Sequence, residues 1–117
     1  MSSVPVEPAD PRPVVVECRV HGSRCQSCGR PDAWVRERCA ACLGSCEPEA
    51  FGPGGIVWSS TDVHLPIGHR LPPFTLAQVD LHDGPRILAR LHPTGELAPG
   101  TAVQIVGSDD GDVVVGP

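Results

Sequence analysis

Four cysteines in the pattern Cys25-x2-Cys28-x10-Cys39-x2-Cys42 are the residues of this 117-residue chain whose type and spacing point most directly to chemistry. In a C-x-x-C unit the two intervening residues turn the backbone so that both sulfurs face one point. Gly29, directly after Cys28, lets that turn close without steric cost. Two such units complete a tetrahedron of thiolates, a donor set that suits Zn²⁺ with Zn–S bonds near ~2.3 Å. A closed four-thiolate shell leaves no position for a substrate, so the predicted role is structural. In zinc-finger peptides such binding is worth ~10–16 kcal/mol at neutral pH, enough to fold a segment that has almost no core.

Iron in a rubredoxin-like site uses the same paired units and is the alternative ion; the ten-residue gap fits a compact zinc ribbon and favours zinc. A redox C-x-x-C belongs before a helix in a βαβ setting, which this sequence lacks. Cys18, His21 and Cys46 lie outside the tetrad and read as buried or spare groups, each still open as a substitute ligand. Asp62-x-His64 sets a carboxylate and an imidazole on one strand face. No Ser or Cys nucleophile with an oxyanion loop accompanies the pair, so it reads as ordinary surface. His82 and His92 read as polar strand ends.

The elements that must position these residues are short. With 14 prolines and 13 glycines the chain cannot sustain long helices. Residues 1–17 read as a Pro-rich arm (Pro5, Pro8, Pro11, Pro13), residues 18–48 as the zinc ribbon and residues 49–117 as a β-domain. Within the arm's end, Val14–Val16 can begin a short strand. Five β-runs follow, Ile56–His64, Phe74–His82, Arg86–His92, Ala102–Val106 and Asp112–Val115, parted by turn sequences such as Asp83-Gly84-Pro85. In the third run Ile87, Ala89 and Leu91 share one face and Arg86, Leu88 and Arg90 the other, the alternation of a sheet with one face in the core. Five short strands in ~60 residues predict a five-stranded OB-type barrel, whose closure removes exposed edges. The predicted fold is mainly β, a four-cysteine ribbon followed by that barrel.

Ribbon and barrel in this order resemble the DUF35 family, in which a rubredoxin-like zinc ribbon precedes an acyl-CoA-associated OB-fold. The resemblance is carried by Arg24-Cys25-x-x-Cys28-Gly29-Arg30, Cys39-x-x-Cys42, and Gly52-x-Gly54-Gly55-Ile56-Val57-Trp58-Ser59-Ser60-Thr61 leading to Val63-His64. Val79-Asp80-Leu81-x-x-Gly84-Pro85-Arg86-Ile87-Leu88 and Gly95-Glu96-Leu97-x-x-Gly100-x-x-Val103 continue it, so that it spans residues 24–107. The family's helical segment before the ribbon is replaced here by the Pro-rich arm, and its Pro-Pro-Arg in the ribbon gap by Trp34-Val35-Arg36. The resemblance implies a non-catalytic accessory subunit. Its partner would be a thiolase-like condensing enzyme, thiolase or aldolase, or a hydratase, acting on acyl-CoA thioesters in a hetero-oligomer, with acyl-CoA bound at the shared interface.

Coenzyme A needs cations for its phosphates and a flat contact for its adenine. Arg70, Arg86 and Arg90 are the cations of residues 47–117 and can each bind phosphate through a guanidinium fork. Trp58 can stack an adenine, or fill the core of the first barrel strand. Against a nucleic-acid-binding OB module stand four aromatic residues, no Tyr, and nine acids to three Arg over residues 47–117. Rubredoxin-like electron carriage is the other competing function. No window approaches the ~18 apolar residues of a membrane span, and Met1–Pro5 lacks the basic start of a signal peptide, so a cytoplasmic protein is expected.

Overall fold

The computed structural model describes residues 12–68 and 70–117, which form nine strands and no helix. The prolines Pro5, Pro8 and Pro11 of the expected arm lie outside the described residues. Strands β1 (Val15–Val16), β2 (Arg19–Cys25), β3 (Pro31–Asp32) and β4 (Cys46–Phe51) make an antiparallel sheet in which β2 pairs with the other three. The arm and ribbon boundaries expected at 17 and 48 thus meet a sheet that takes in Val15–Val16 and runs on to Phe51.

Strands β5 (Gly54–Val63), β6 (Phe74–Leu81), β7 (Arg86–Leu91), β8 (Ala102–Asp109) and β9 (Asp112–Gly116) close a barrel in the order β5-β6-β7-β9-β8. All five predicted runs are strands, and Ile87, Ala89 and Leu91 point inward as their alternation requires. β5 begins earlier and β8 ends later than predicted. Gly54 is held by pairing with Gln104, and Ser108 by pairing with Val113, a tertiary influence that glycine and serine do not announce. Two bulges interrupt the ladders, between Val57 and Ser59 and between Ile105 and Gly107. The residues they leave out of register, Trp58 and Val106, are turned outward and half exposed. Trp58 is therefore not a core residue.

Inward-facing Val57, Val79, Leu81, Ile87, Leu91, Val103, Ile105, Val113 and Val115 fill the barrel, and the cluster continues into Val20, Ala33 and Phe51 of the ribbon. Burying each such aliphatic side chain is worth about 1.5–3 kcal/mol. The junction is tight: a Cβ on Gly84 would meet the Phe51 ring at 3.0 Å. Arg24 completes it, donating to Glu49 and to the Asp83 carbonyl while its guanidinium lies 5.4 Å from the centre of the Phe51 ring.

Candidate functional site

The two cysteine units fold alike. In the first, Gly29 N–H donates to Cys25 C=O and Cys25 N–H to Arg30 C=O; in the second, Leu43 N–H donates to Cys39 C=O and Cys39 N–H to Gly44 C=O. Both place the residue after the second cysteine in the left-handed region, Gly29 at φ 78° and Leu43 at φ 64°. Glycine adopts that conformation freely, whereas leucine is strained in it. Cross-links Gln26 N–H to Ser45 C=O and Cys46 N–H to Glu37 C=O hold the two units face to face.

This geometry brings the sulfurs of Cys25, Cys28, Cys39 and Cys42 within 4.8 Å of one another. Cys25 and Cys42 are 3.4 Å apart and Cys28 and Cys39 3.7 Å, close to the ~3.8 Å edge of a tetrahedron with ~2.3 Å metal–sulfur bonds. Main-chain N–H groups point at the sulfurs: Ser27 and Cys28 at Cys25, Ala41 at Cys39 and Gly44 at Cys42, each at 3.4 Å. Such donors stabilise thiolate over thiol. The Cys28 amide, helped by that of Ser27 against the effect of burial, brings Cys25 down to about 6. Amides of Cys42 and Ala41 likewise lower Cys39. At Cys42 the Gly44 amide pulls down, but the sulfurs of Cys25 and Cys28 together outweigh it and push the thiol up to about 12. Four sulfurs at this spacing repel a full set of negative charges, and a divalent cation is what relieves them. The tetrad fits a metal ion, and its all-thiolate donors fit zinc.

The other three candidates stand aside. Cys18 packs on the core, His21 is an exposed strand residue opposite Ala50, and Cys46 donates to Gly44 C=O at 3.8 Å while burial pushes its thiol up. Gly44 itself is constrained, since a Cβ there would lie 2.6 Å from Ser27 Oγ and 3.0 Å from Cys25 Sγ. Asp62 accepts a 2.7 Å bond from Thr75 Oγ1, so its carboxylate holds a buried hydroxyl of the next strand.

Arg70, Arg86 and Arg90, far apart in sequence, line one cleft of 250 Å³. Arg12 joins them from before β1, and Trp34 and Leu88 supply apolar surface. Asp112 is the hub: Arg70 grips it through two bonds of 2.7 and 2.5 Å, Arg12 adds one of 3.2 Å, and Arg90 stands 3.8 Å away. Only 6% exposed, Asp112 is held well below the usual carboxylate range, chiefly by Arg70. Arg86 forks onto Asp80 and stacks on Trp58 with its guanidinium carbon 4.1 Å from the ring centre. Trp58 thus reaches the cleft through Arg86 rather than lining it. Sequence reasoning singled out the three barrel arginines but missed Trp34, Arg12 and Asp112. The one available signal was an aspartate opening an otherwise apolar strand, Asp112-Val113-Val114-Val115.

No family model matches the chain, and no curated protein matches it. Among solved structures, a chain of the Ltp2-ChsH2(DUF35) aldolase superposes with a TM-score of 0.66 at 21% sequence identity, over 85% of this chain and 84% of that one. Ribbon, tetrad and closed barrel, in that order and over that extent, give this chain a DUF35-like fold.

Proposed function

We propose that this protein is a non-catalytic accessory subunit that binds a thiolase-like enzyme or a hydratase acting on acyl-CoA thioesters, helping to hold the substrate and stabilise the complex. One observation carries the reading: the fold is shared, over 85% of this chain and 84% of the other, with a DUF35 protein of an aldolase complex. The chemistry of the chain agrees with it. The tetrad would hold zinc through Cys25, Cys28, Cys39 and Cys42, and the ion would cross-link the two cysteine units. Asp62, the best acid–base candidate in the sequence, is engaged by Thr75.

Arg70, Arg86 and Arg90 are the proposed contacts for the acyl-CoA phosphates or for the partner, with Trp58 beside them. Their convergence on one cleft supports a shared role. Their ion pairs with Asp112, Asp80 and Asp109 keep the guanidiniums oriented.

The test is co-expression with thiolase-fold enzymes encoded in the same genome, followed by size-exclusion chromatography and assay on acyl-CoA thioesters. A stable complex with raised or newly gained turnover is the expected result. A protein that neither associates with such an enzyme, nor binds a CoA thioester, nor alters turnover overturns the reading.

A further inference from the structure

We propose that Cys46 is the trigger thiol of a peroxide-sensitive switch. Oxidation joins it to Cys25 as a disulfide across β2 and β4, takes Cys25 out of the metal tetrad and so releases the ion. The proposal rests on the reading of the tetrad as a zinc site and is independent of the accessory-subunit reading.

Cys25 ends β2 and Cys46 begins β4, and the register of these antiparallel strands sets the two residues directly opposite each other. Directly opposed residues turn their side chains to the same face of the sheet. Their main-chain groups do not bond to one another: Cys25 N–H donates to Arg30 C=O and Cys46 N–H to Glu37 C=O, while Gln26 N–H in the next pair donates to Ser45 C=O. Cys25 and Cys46 are therefore a non-hydrogen-bonded pair, the type in which Cα atoms approach to ~4.5 Å and side chains lie closest. A disulfide spans Cα separations of ~4.4–6.8 Å, so the strands need not part for the bond to form. Cys46 Sγ lies 3.8 Å from the Gly44 carbonyl oxygen, and a Cβ on Gly44 would stand 3.0 Å from Cys25 Sγ. Both sulfurs thus flank one residue that has no side chain to separate them.

Position decides which thiol reacts first. In the zinc-loaded ribbon the four tetrad sulfurs are committed to the ion, and Cys25 is itself buried. Cys46 is half-buried and outside that shell, so its sulfur is open to a molecule as small as hydrogen peroxide. The oxidant is a hydroperoxide. Cys46 Sγ attacks one oxygen of hydrogen peroxide, the O–O bond breaks, and the thiol proton leaves with the other oxygen as water, giving a sulfenic acid. The Cys25 thiolate then attacks the sulfenic sulfur. The S–S bond forms, the S–O bond breaks, and the departing hydroxide takes a proton from solvent as a second water. Two electrons pass from the two sulfurs to the peroxide. Cys28, Cys39 and Cys42 remain, three donors where a closed structural site takes four, so metal affinity falls with the loss of Cys25. A thiol reductant restores the pair by exchange. Cys25 also adjoins Arg24, whose bonds to Glu49 and to the Asp83 carbonyl tie ribbon to barrel, so opening the tetrad loosens the junction of the two modules.

The test treats the full chain, reduced and loaded with zinc, with excess hydrogen peroxide. Zinc release is followed with a chromogenic chelator, and disulfides are then mapped by mass spectrometry of a non-reduced digest. The expected product is a Cys25 to Cys46 disulfide that forms in step with zinc release and is reversed by dithiothreitol. Cys46→Ser is expected to bind zinc as the wild type does and to release it under peroxide at least about tenfold more slowly. Cys18→Ser, which leaves the pair intact, is expected to release zinc at the wild-type rate. Should Cys46→Ser not fold, the disulfide mapped in the wild-type protein decides the proposal alone. A disulfide inside either C-x-x-C unit, wild-type release from folded Cys46→Ser, or equal slowing by Cys18→Ser overturns the proposal. A reduced protein that holds no metal overturns the zinc reading, and mapping of the same sample then tests the Cys25 to Cys46 pairing by itself.

Discussion

The ribbon and the barrel are stabilised by different physics. Buried apolar side chains of the ribbon are Val20, Ala33 and Phe51, besides the clustered Cys25 and Cys39, and all three belong to the same core cluster as the barrel interior. The barrel fills its own interior with aliphatic side chains from every one of its strands. The ribbon is therefore a short chain with little core of its own, built around four sulfurs at metal-binding distance, whereas the barrel is a small hydrophobic core closed on itself. Placing them side by side also creates a cleft that neither module has alone, since Trp34 comes from the ribbon and the arginines of β7 from the barrel.

Stripping the metal should separate the two regions most sharply. With a strong chelator at neutral pH the ribbon should lose its ~10–16 kcal/mol of metal-linked folding energy, while barrel amides keep their protection in hydrogen exchange. Uniform loss of protection across both regions would show that they fold as one unit. The metal analysis that precedes this experiment should find one zinc in a colourless protein; a visible absorption band would identify iron instead. The converse perturbation is Ile87→Ala in the barrel wall, 3% exposed. It should lower the unfolding free energy by about 3 kcal/mol in denaturant titration while zinc stoichiometry stays unchanged.

Asp112→Asn tests the cleft and should cost about 2 kcal/mol at pH 7, because Arg70 and Arg12 lose the anion they share. The sign with pH follows from the direction of the shift. Asp112 is lowered from 3.8 by Arg70, so its contribution is fully present above that value and is lost as pH falls through the lower, folded value. The stability difference between wild type and Asp112→Asn should therefore shrink toward zero in acid. Leu43→Gly is the smallest and has the opposite sign. Relieving a left-handed leucine that is 73% exposed should stabilise the ribbon by about 1 kcal/mol, seen as a raised thermal midpoint of the zinc-loaded protein.

Much of this was readable from residue order because the relevant forces are local. A C-x-x-C unit sets its two sulfurs within four residues, so the tetrad could be named from spacing. Alternation along Arg86–Leu91 assigned each side chain to a face before any partner strand was known. Trp58 was harder, because a bulge between Val57 and Ser59 decides its direction and is specified by the pairing with β6. Asp62 and His64 suggested chemistry by sharing a strand face, yet Asp62 bonds to Thr75, a residue that only strand pairing brings alongside.

Sequence alone determined the cysteines that cluster, the strands of the barrel and their inward faces, since each depends on contacts within a few residues. Only tertiary structure decided the cleft. Arg12 precedes the first strand, Trp34 lies in the ribbon gap, Arg70 in a loop, Arg86 and Arg90 on β7 and Asp112 at the start of β9. Nothing in their spacing brings them together. They meet because closing the barrel with so short a β7–β9 pairing leaves a seam beside the ribbon, and buried Asp112 draws the neighbouring guanidiniums to it.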